Sequence, residues 1–174
     1  MVTPATSKEE KMEAQAARTQ LDTVTGALLP VQTDVPRCFV CGLENPSGLK
    51  LRFRKEGPSS VSTQFTAPYD WTGWGNILHG GFQALLLDEI TAWVPFGLWN
   101  ERAFVTKEMC IRYVRPAYVE TQLFIVGYLV EDMQREIIVR GEIKDERGSI
   151  LSEARCTLVR LSEEAMERIS CYEL

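Results

Sequence analysis

The chain has 174 residues, 45% of them hydrophobic, and a formal net charge of −5. That is enough for one globular domain with a full core and leaves no room for a second catalytic domain. The acidic balance and the lack of a clustered Lys/Arg stripe argue against nucleic acid or an anionic membrane as the main partner, and no segment approaches the roughly 18 to 20 apolar residues of a membrane span.

Residues 1–36 read as a helical N-terminal arm and connector, with Met12, Ala16, Leu21, Val24 and Leu28 loosely spaced before Pro30 and Pro36. The arm begins with Lys8, Glu9, Glu10 and Lys11 instead of a basic start and an apolar core, so it resembles neither a signal nor a transit peptide. Five cysteines, an odd number beside that N-terminus, point to reduced thiols in a cytoplasmic setting.

Residues 37–162 form the expected domain. Its first part is loop-like, packing Cys38, Cys41, Gly42, Asn45, Pro46 and Gly48 together. Leu49, Leu51 and Phe53 then alternate with Lys50, Arg52 and Arg54 as a half-buried strand, which the Gly57-Pro58 turn joins to a second strand over 60–66. Residues 67–78 hold Gly73 and Gly75 and read as too glycine-rich for a strand. They lead to a helix from Gly80 to Phe96, ended with the help of Pro95 and Gly97.

After Asn100 every periodic segment is strand-like. Val105, Lys107, Met109, Ile111 and Tyr113 alternate with Thr106, Glu108, Cys110, Arg112 and Val114; residues 121–131 are an apolar, β-branched run; and Ile137, Val139, Gly141 and Ile143 share one face. The loop at Asp145-Glu146-Arg147-Gly148 opens a last strand to Leu161, and Ser162-Glu163-Glu164 starts a short helix and tail over 163–174. The expected class is α+β, an antiparallel β-sheet wrapped around one long central helix.

The only histidine is His79, in Ile77-Leu78-His79-Gly80-Gly81, so chemistry that needs an imidazole must happen there. Two glycines opening a helix leave early backbone N–H groups aimed at whatever precedes them, a site suited to an oxyanion or a carbonyl. Between Gly80 and Phe96 the only charged side chains are Asp88, nine residues beyond the histidine, and Glu89. A carboxylate in so apolar a helix is costly unless it is paired, hydrogen-bonded or used.

Four elements together resemble the hotdog-fold acyl-CoA thioesterases of the phenylacetate-pathway and THEM type: Cys38-x-x-Cys41-Gly42 with Asn45-Pro46-x-Gly48-Leu49; Asn76 with His79-Gly80-Gly81; Asp88; and Val105-Thr106 opening a strand that ends Tyr113-Val114-Arg115-Pro116. The resemblance spans 37–161 and implies the hotdog fold and hydrolysis of an acyl- or aroyl-CoA to free acid and coenzyme A. It implies that the Gly81 N–H meets the thioester carbonyl and that His79 shapes the same pocket. Asp88 is then the general base or a nucleophile, and Thr106 helps hold the water, facing Asp88 across a dimer interface. A homodimer is the implied minimum, with tetramers frequent in the family.

Asn76 and Gly80 complete the substrate-binding set with Arg112 and Arg115; these two arginines and Lys107, near the strand after the helix, read either as contacts to coenzyme A phosphates or, the favoured account of any one of them, as solvated surface charge. Coenzyme A enters as part of the substrate, and no separate cofactor is expected. Cys38 and Cys41 have the spacing of half a zinc knuckle, but a structural site needs four ligands, so the pair reads as packing in a turn and no metal is expected. Glu89 reads as structural. The rival expectation is a non-catalytic hotdog module that binds acyl-CoA or a partner protein. No Gly-x-Ser-x-Gly elbow, Walker loop or dinucleotide fingerprint is present.

Overall fold

The computed structural model describes residues 26–170. Seven antiparallel strands form one sheet in the order β1-β2-β3-β7-β8-β9-β6: β1 (Ala27–Leu28), β2 (Arg54–Glu56), β3 (Ser60–Thr66), β6 (Phe104–Tyr113), β7 (Gln122–Asp132), β8 (Glu136–Lys144) and β9 (Ile150–Arg160). Between β3 and β6 lie a small hairpin, β4 (Thr72–Trp74) with β5 (Ile77–Leu78), and the long helix α1 (Gly80–Trp99). A short helix, α2 (Glu163–Ser170), follows β9, with the Ser162 hydroxyl accepting from the Ala165 N–H at 3.3 Å. This is the hotdog fold, with α1 as the filling.

The helix seats on a row of small residues. Gly127, Gly141 and Ala154 are register partners on β7, β8 and β9. A Cβ at Gly127 would stand 2.8 Å from the Ile90 carbonyl oxygen, and one at Gly141 would stand 3.1 Å from the Thr91 methyl. The missing side chains let α1 drop into the sheet, burying Leu86, Leu87, Ile90 and Val94 against Leu123, Ile125, Ile137, Val139, Ile143 and Leu158. Each fully buried aliphatic side chain contributes about 1.5–3 kcal/mol of transfer free energy.

Several sequence expectations change at this point. Leu49, Leu51 and Phe53 do point inward, and Phe53 stacks on Trp93 with centroids 4.2 Å apart. The stretch 49–53 is nonetheless not a strand: Lys50 has a φ of 55°, and the Leu49 and Leu51 N–H groups donate to Phe39 and Val40 carbonyls in the preceding loop. Pairing with β3 begins only at Arg54. The glycine-rich stretch before α1 forms the β4–β5 hairpin, turned by Gly75 at a φ of 58°. Helix α1 runs through Pro95 for another turn and stops at Asn100, whose left-handed φ of 56° lets its N–H bond back to Phe96. Residues 1–25 of the expected helical arm lie outside the described residues; 26–36 carry β1, an edge strand on β2.

Candidate active site

His79 ends the β4–β5 hairpin and caps α1. Its own N–H donates to the Trp71 carbonyl at 2.9 Å, and its Nδ1 accepts the Gly81 N–H at 2.9 Å. An accepting Nδ1 leaves the proton of the neutral ring on Nε2, which makes that nitrogen the donor the exposed imidazole offers. Beneath it, Phe65, Trp71 and Phe82 pack ring on ring, Trp71 and Phe82 stacked at 4.0 Å. Gly81, which the resemblance implies supplies an N–H to the substrate, has that group engaged by the imidazole.

Asp88 lies seven residues beyond Gly81. Seven steps of 100° bring it back to the same side of α1, about 10 Å further along the axis. This side, with Gly81, Ala84, Leu85 and Asp88, is left exposed or half-covered while the opposite side is sealed against the sheet. Asp88 Oδ1 accepts the Thr106 hydroxyl at 2.9 Å within the same chain. The two residues therefore already meet in one subunit, where the sequence reading had them facing each other across a dimer interface.

Strict alternation along β6 sets Thr106 opposite Met109 and Ile111. The register with β9 shows otherwise: Thr106 pairs Leu158 and Glu108 pairs Thr157, so Lys107 is the extra residue of a bulge. The bulge returns Thr106 to the helix side, the side of Met109, Ile111 and Tyr113. Under this pair lies the buried Cys156 thiol, beside Thr91 and Thr106; burial, with a smaller effect from the Asp88 charge, pushes it up from its ordinary value.

Two residues the sequence reading missed hold the other end. The Tyr113 hydroxyl donates to the Gly80 carbonyl at 2.9 Å, tying the helix start to β6. Gln83 is buried; its Nε2 donates to the Leu78 carbonyl at 3.1 Å, while its Oε1 has no partner. Nothing in a lone Tyr or Gln marks such roles in a sequence. Both line a 370 Å³ groove that passes Gly80 and reaches Arg115 and Pro116, where it meets a second groove of 480 Å³ bordered by Tyr118, Asp145 and Arg147.

Arg115 thus stands where the two grooves meet, with one guanidinium nitrogen on the Ile150 carbonyl at 2.9 Å. Arg112 is bound to Glu153 at 2.7 Å and is not among the residues of either groove. Asn76 is exposed, and its carbonyl accepts the Val119 N–H. Of the sequence-derived set, His79, Gly80 and Gly81 come together at the helix start, Asp88 and Thr106 form a second group, and Arg112 stands apart.

Residues 75–152, which include both groups, match the family model of the Thioesterase superfamily. No curated protein matches the sequence. Among solved structures, the thioesterase superfamily protein RHA08564 aligns with a TM-score of 0.65 at 22% identity, over 90% of this chain and 81% of its own. Zebra fish Thioesterase Superfamily Member 2 aligns at 0.62 and 18% identity, over 77% of this chain and 99% of its own. The smu.793 protein of Streptococcus mutans, solved bound to acetyl CoA, aligns at 0.59 and 18% identity, over 64% and 89%. At these identities the likeness establishes the fold. Among the described residues no helix is long and apolar enough to cross a membrane.

Proposed function

We propose that this chain, a hotdog-fold member of the thioesterase superfamily, hydrolyses an acyl- or aroyl-CoA thioester to the free acid and coenzyme A. The observation that carries the reading is the Thr106–Asp88 hydrogen bond, which sets a carboxylate on the open side of α1 in register with the His79-capped helix start.

One chain cannot bring both groups to one thioester, because about 10 Å of helix separates Gly81 from Asp88. A second copy can. If two α1 helices pack antiparallel about a two-fold axis near Ala84 and Leu85, Asp88 of each copy falls opposite Gly81 of the other. The same packing covers the apolar side that the sheet leaves open. The active unit is a homodimer with two equivalent sites.

In each site the thioester oxygen sits before the N-terminus of α1, where His79 Nε2–H and the helix dipole stabilise the negative charge that develops on attack. Thr106 holds Asp88 Oδ1, leaving Oδ2 to take a proton from water as the water oxygen bonds to the carbonyl carbon. Collapse of the tetrahedral intermediate breaks the C–S bond, and coenzyme A leaves as a thiolate that the protonated Asp88 or solvent neutralises. Arg115 suits a coenzyme A phosphate, and the groove past Gln83 and Tyr113 suits the pantetheine arm.

Free-thiol release from short, medium, long and aromatic acyl-CoAs tests the reading, run on wild type and on a folded Asp88→Asn variant. A fall of about 10²–10⁴ in turnover is expected on losing the base. Absence of turnover with every acyl-CoA would leave a binding module, and turnover untouched by the substitution would require another base.

A further inference from the structure

Away from the open side of α1, three chemically reactive side chains converge. Cys38 and Cys41, in the loop before β2, meet Glu89, one residue beyond Asp88, with one ligand atom of each lying within 4.8 Å of the others. We propose that Cys38, Cys41 and Glu89 bind a zinc ion, as three of four tetrahedral ligands with solvent in the fourth position.

The spacing fits the ion. Zinc bonds of about 2.3 Å to sulfur and about 2.0–2.2 Å to oxygen put neighbouring sulfur and oxygen ligands roughly 3.5 Å apart on a tetrahedron. Cys38 Sγ stands 3.7 Å from Glu89 Oε2. The other carboxylate oxygen, Oε1, accepts the Trp93 indole N–H at 2.9 Å, which fixes the carboxylate plane and leaves Oε2 toward the sulfurs. A hydrogen-bonded outer partner of this kind is what orients a metal-binding carboxylate.

The loop folds back tightly on Cys38. Such a wrap requires Gly42: a Cβ there would lie 2.4 Å from the Pro36 carbonyl oxygen and 2.5 Å from Cys38 N. The Gly42 N–H also closes the turn on the Cys38 carbonyl at 3.0 Å.

Charge supplies the remaining argument. Glu89 forms no salt bridge among the described residues, and its neighbours in the cluster are two sulfurs, so nothing basic offsets it. A divalent cation held by the two sulfurs and the carboxylate would supply the missing positive charge, and that donor set selects zinc over magnesium or calcium. The ion also changes the reading of the Cys38–Cys41 pair from turn packing to ligation.

The test uses the full chain, expressed with zinc in the medium and purified reduced without chelator. Elemental analysis is expected to find about one zinc per chain. It should be retained in Cys110→Ser, lost in Cys38→Ser with Cys41→Ser, and bound more than about tenfold more weakly in Glu89→Gln. Because the double variant can fail to fold, chelator-stripped wild type is titrated in parallel with Co²⁺, which should give a thiolate-to-cobalt charge-transfer band and ligand-field bands of tetrahedral strength. Reduced thiols with no stoichiometric zinc and no cobalt–thiolate band would overturn the proposal. So would a Cys38–Cys41 disulfide as the stable form of the purified protein.

Discussion

Thr106 reaches Asp88 because Lys107 bulges out of its strand: the 2.9 Å hydrogen bond between them exists only on the helix side of β6, where strict alternation would not put Thr106. The bulge places the hydroxyl beside the carboxylate without moving the rest of the strand, whose later residues keep a regular ladder with β9 down to Tyr113. Bulges at a sheet edge commonly re-aim a single side chain in this way.

Thr106→Ala should therefore lower kcat for acyl-CoA hydrolysis by about 10- to 100-fold, with KM nearly unchanged, since the lost interaction positions a base and does not bind substrate. Thr106→Ser keeps the hydroxyl and should retain most activity. Equal activity in wild type and both variants would mean that Asp88 needs no orientation.

His79 carries two separable tasks, one on each ring nitrogen. Nδ1 caps the helix through the Gly81 N–H, and Nε2 is left to face the substrate. His79→Ala should lose both, at about 1 kcal/mol in urea unfolding for the cap and about 10²–10³ in kcat for the carbonyl donor. His79→Asn restores an N-cap acceptor but sets no donor at the Nε2 position, so stability should return and turnover should not. Parallel recovery of both would show that the histidine matters only as a cap.

How far the sequence carried this picture depends on which forces are local. Inward faces were legible where alternation is unbroken: Ile137, Val139 and Ile143 are all fully buried. The central helix was legible because nothing but Asp88 and Glu89 interrupts its apolar run, yet its end was misplaced, since Pro95 sits in a helix held by the sheet on several sides and only Asn100 supplies the left-handed stop. The bulge at Lys107 was not legible, because no glycine marks it. Nor was Glu89, whose meeting with Cys38 spans 51 residues of chain and depends on how α1 is rotated against the loop.

The small-residue row under α1 yields a graded stability prediction. Gly127→Ala would press a methyl against the Ile90 backbone carbonyl, which cannot swing away, and should cost about 1–3 kcal/mol in urea unfolding. Gly141→Ala meets only side-chain carbons of Thr91, Leu87 and Ile90 at 3.1–3.3 Å and should cost less. Reversal of that order would mean that the helix shifts as a body and the row does not set its depth.

The sharpest prediction concerns which subunit supplies which group. His79→Ala and Asp88→Asn should each be inactive alone. In a mixed dimer, one site combines intact His79 from the Asp88→Asn chain with intact Asp88 from the His79→Ala chain, while the other site carries both substitutions. Unfolding and refolding the two variants together in equal amounts makes half of the dimers mixed, each with one working site of two, so activity should return to about a quarter of wild type. Leu85→Arg, which sets charges against each other near the two-fold axis, should give monomers by sedimentation and abolish the effect. Mixtures that stay inactive while mixed dimers are demonstrably present would place His79 and Asp88 of a single chain at the same thioester, which the 10 Å or so of helix between them opposes.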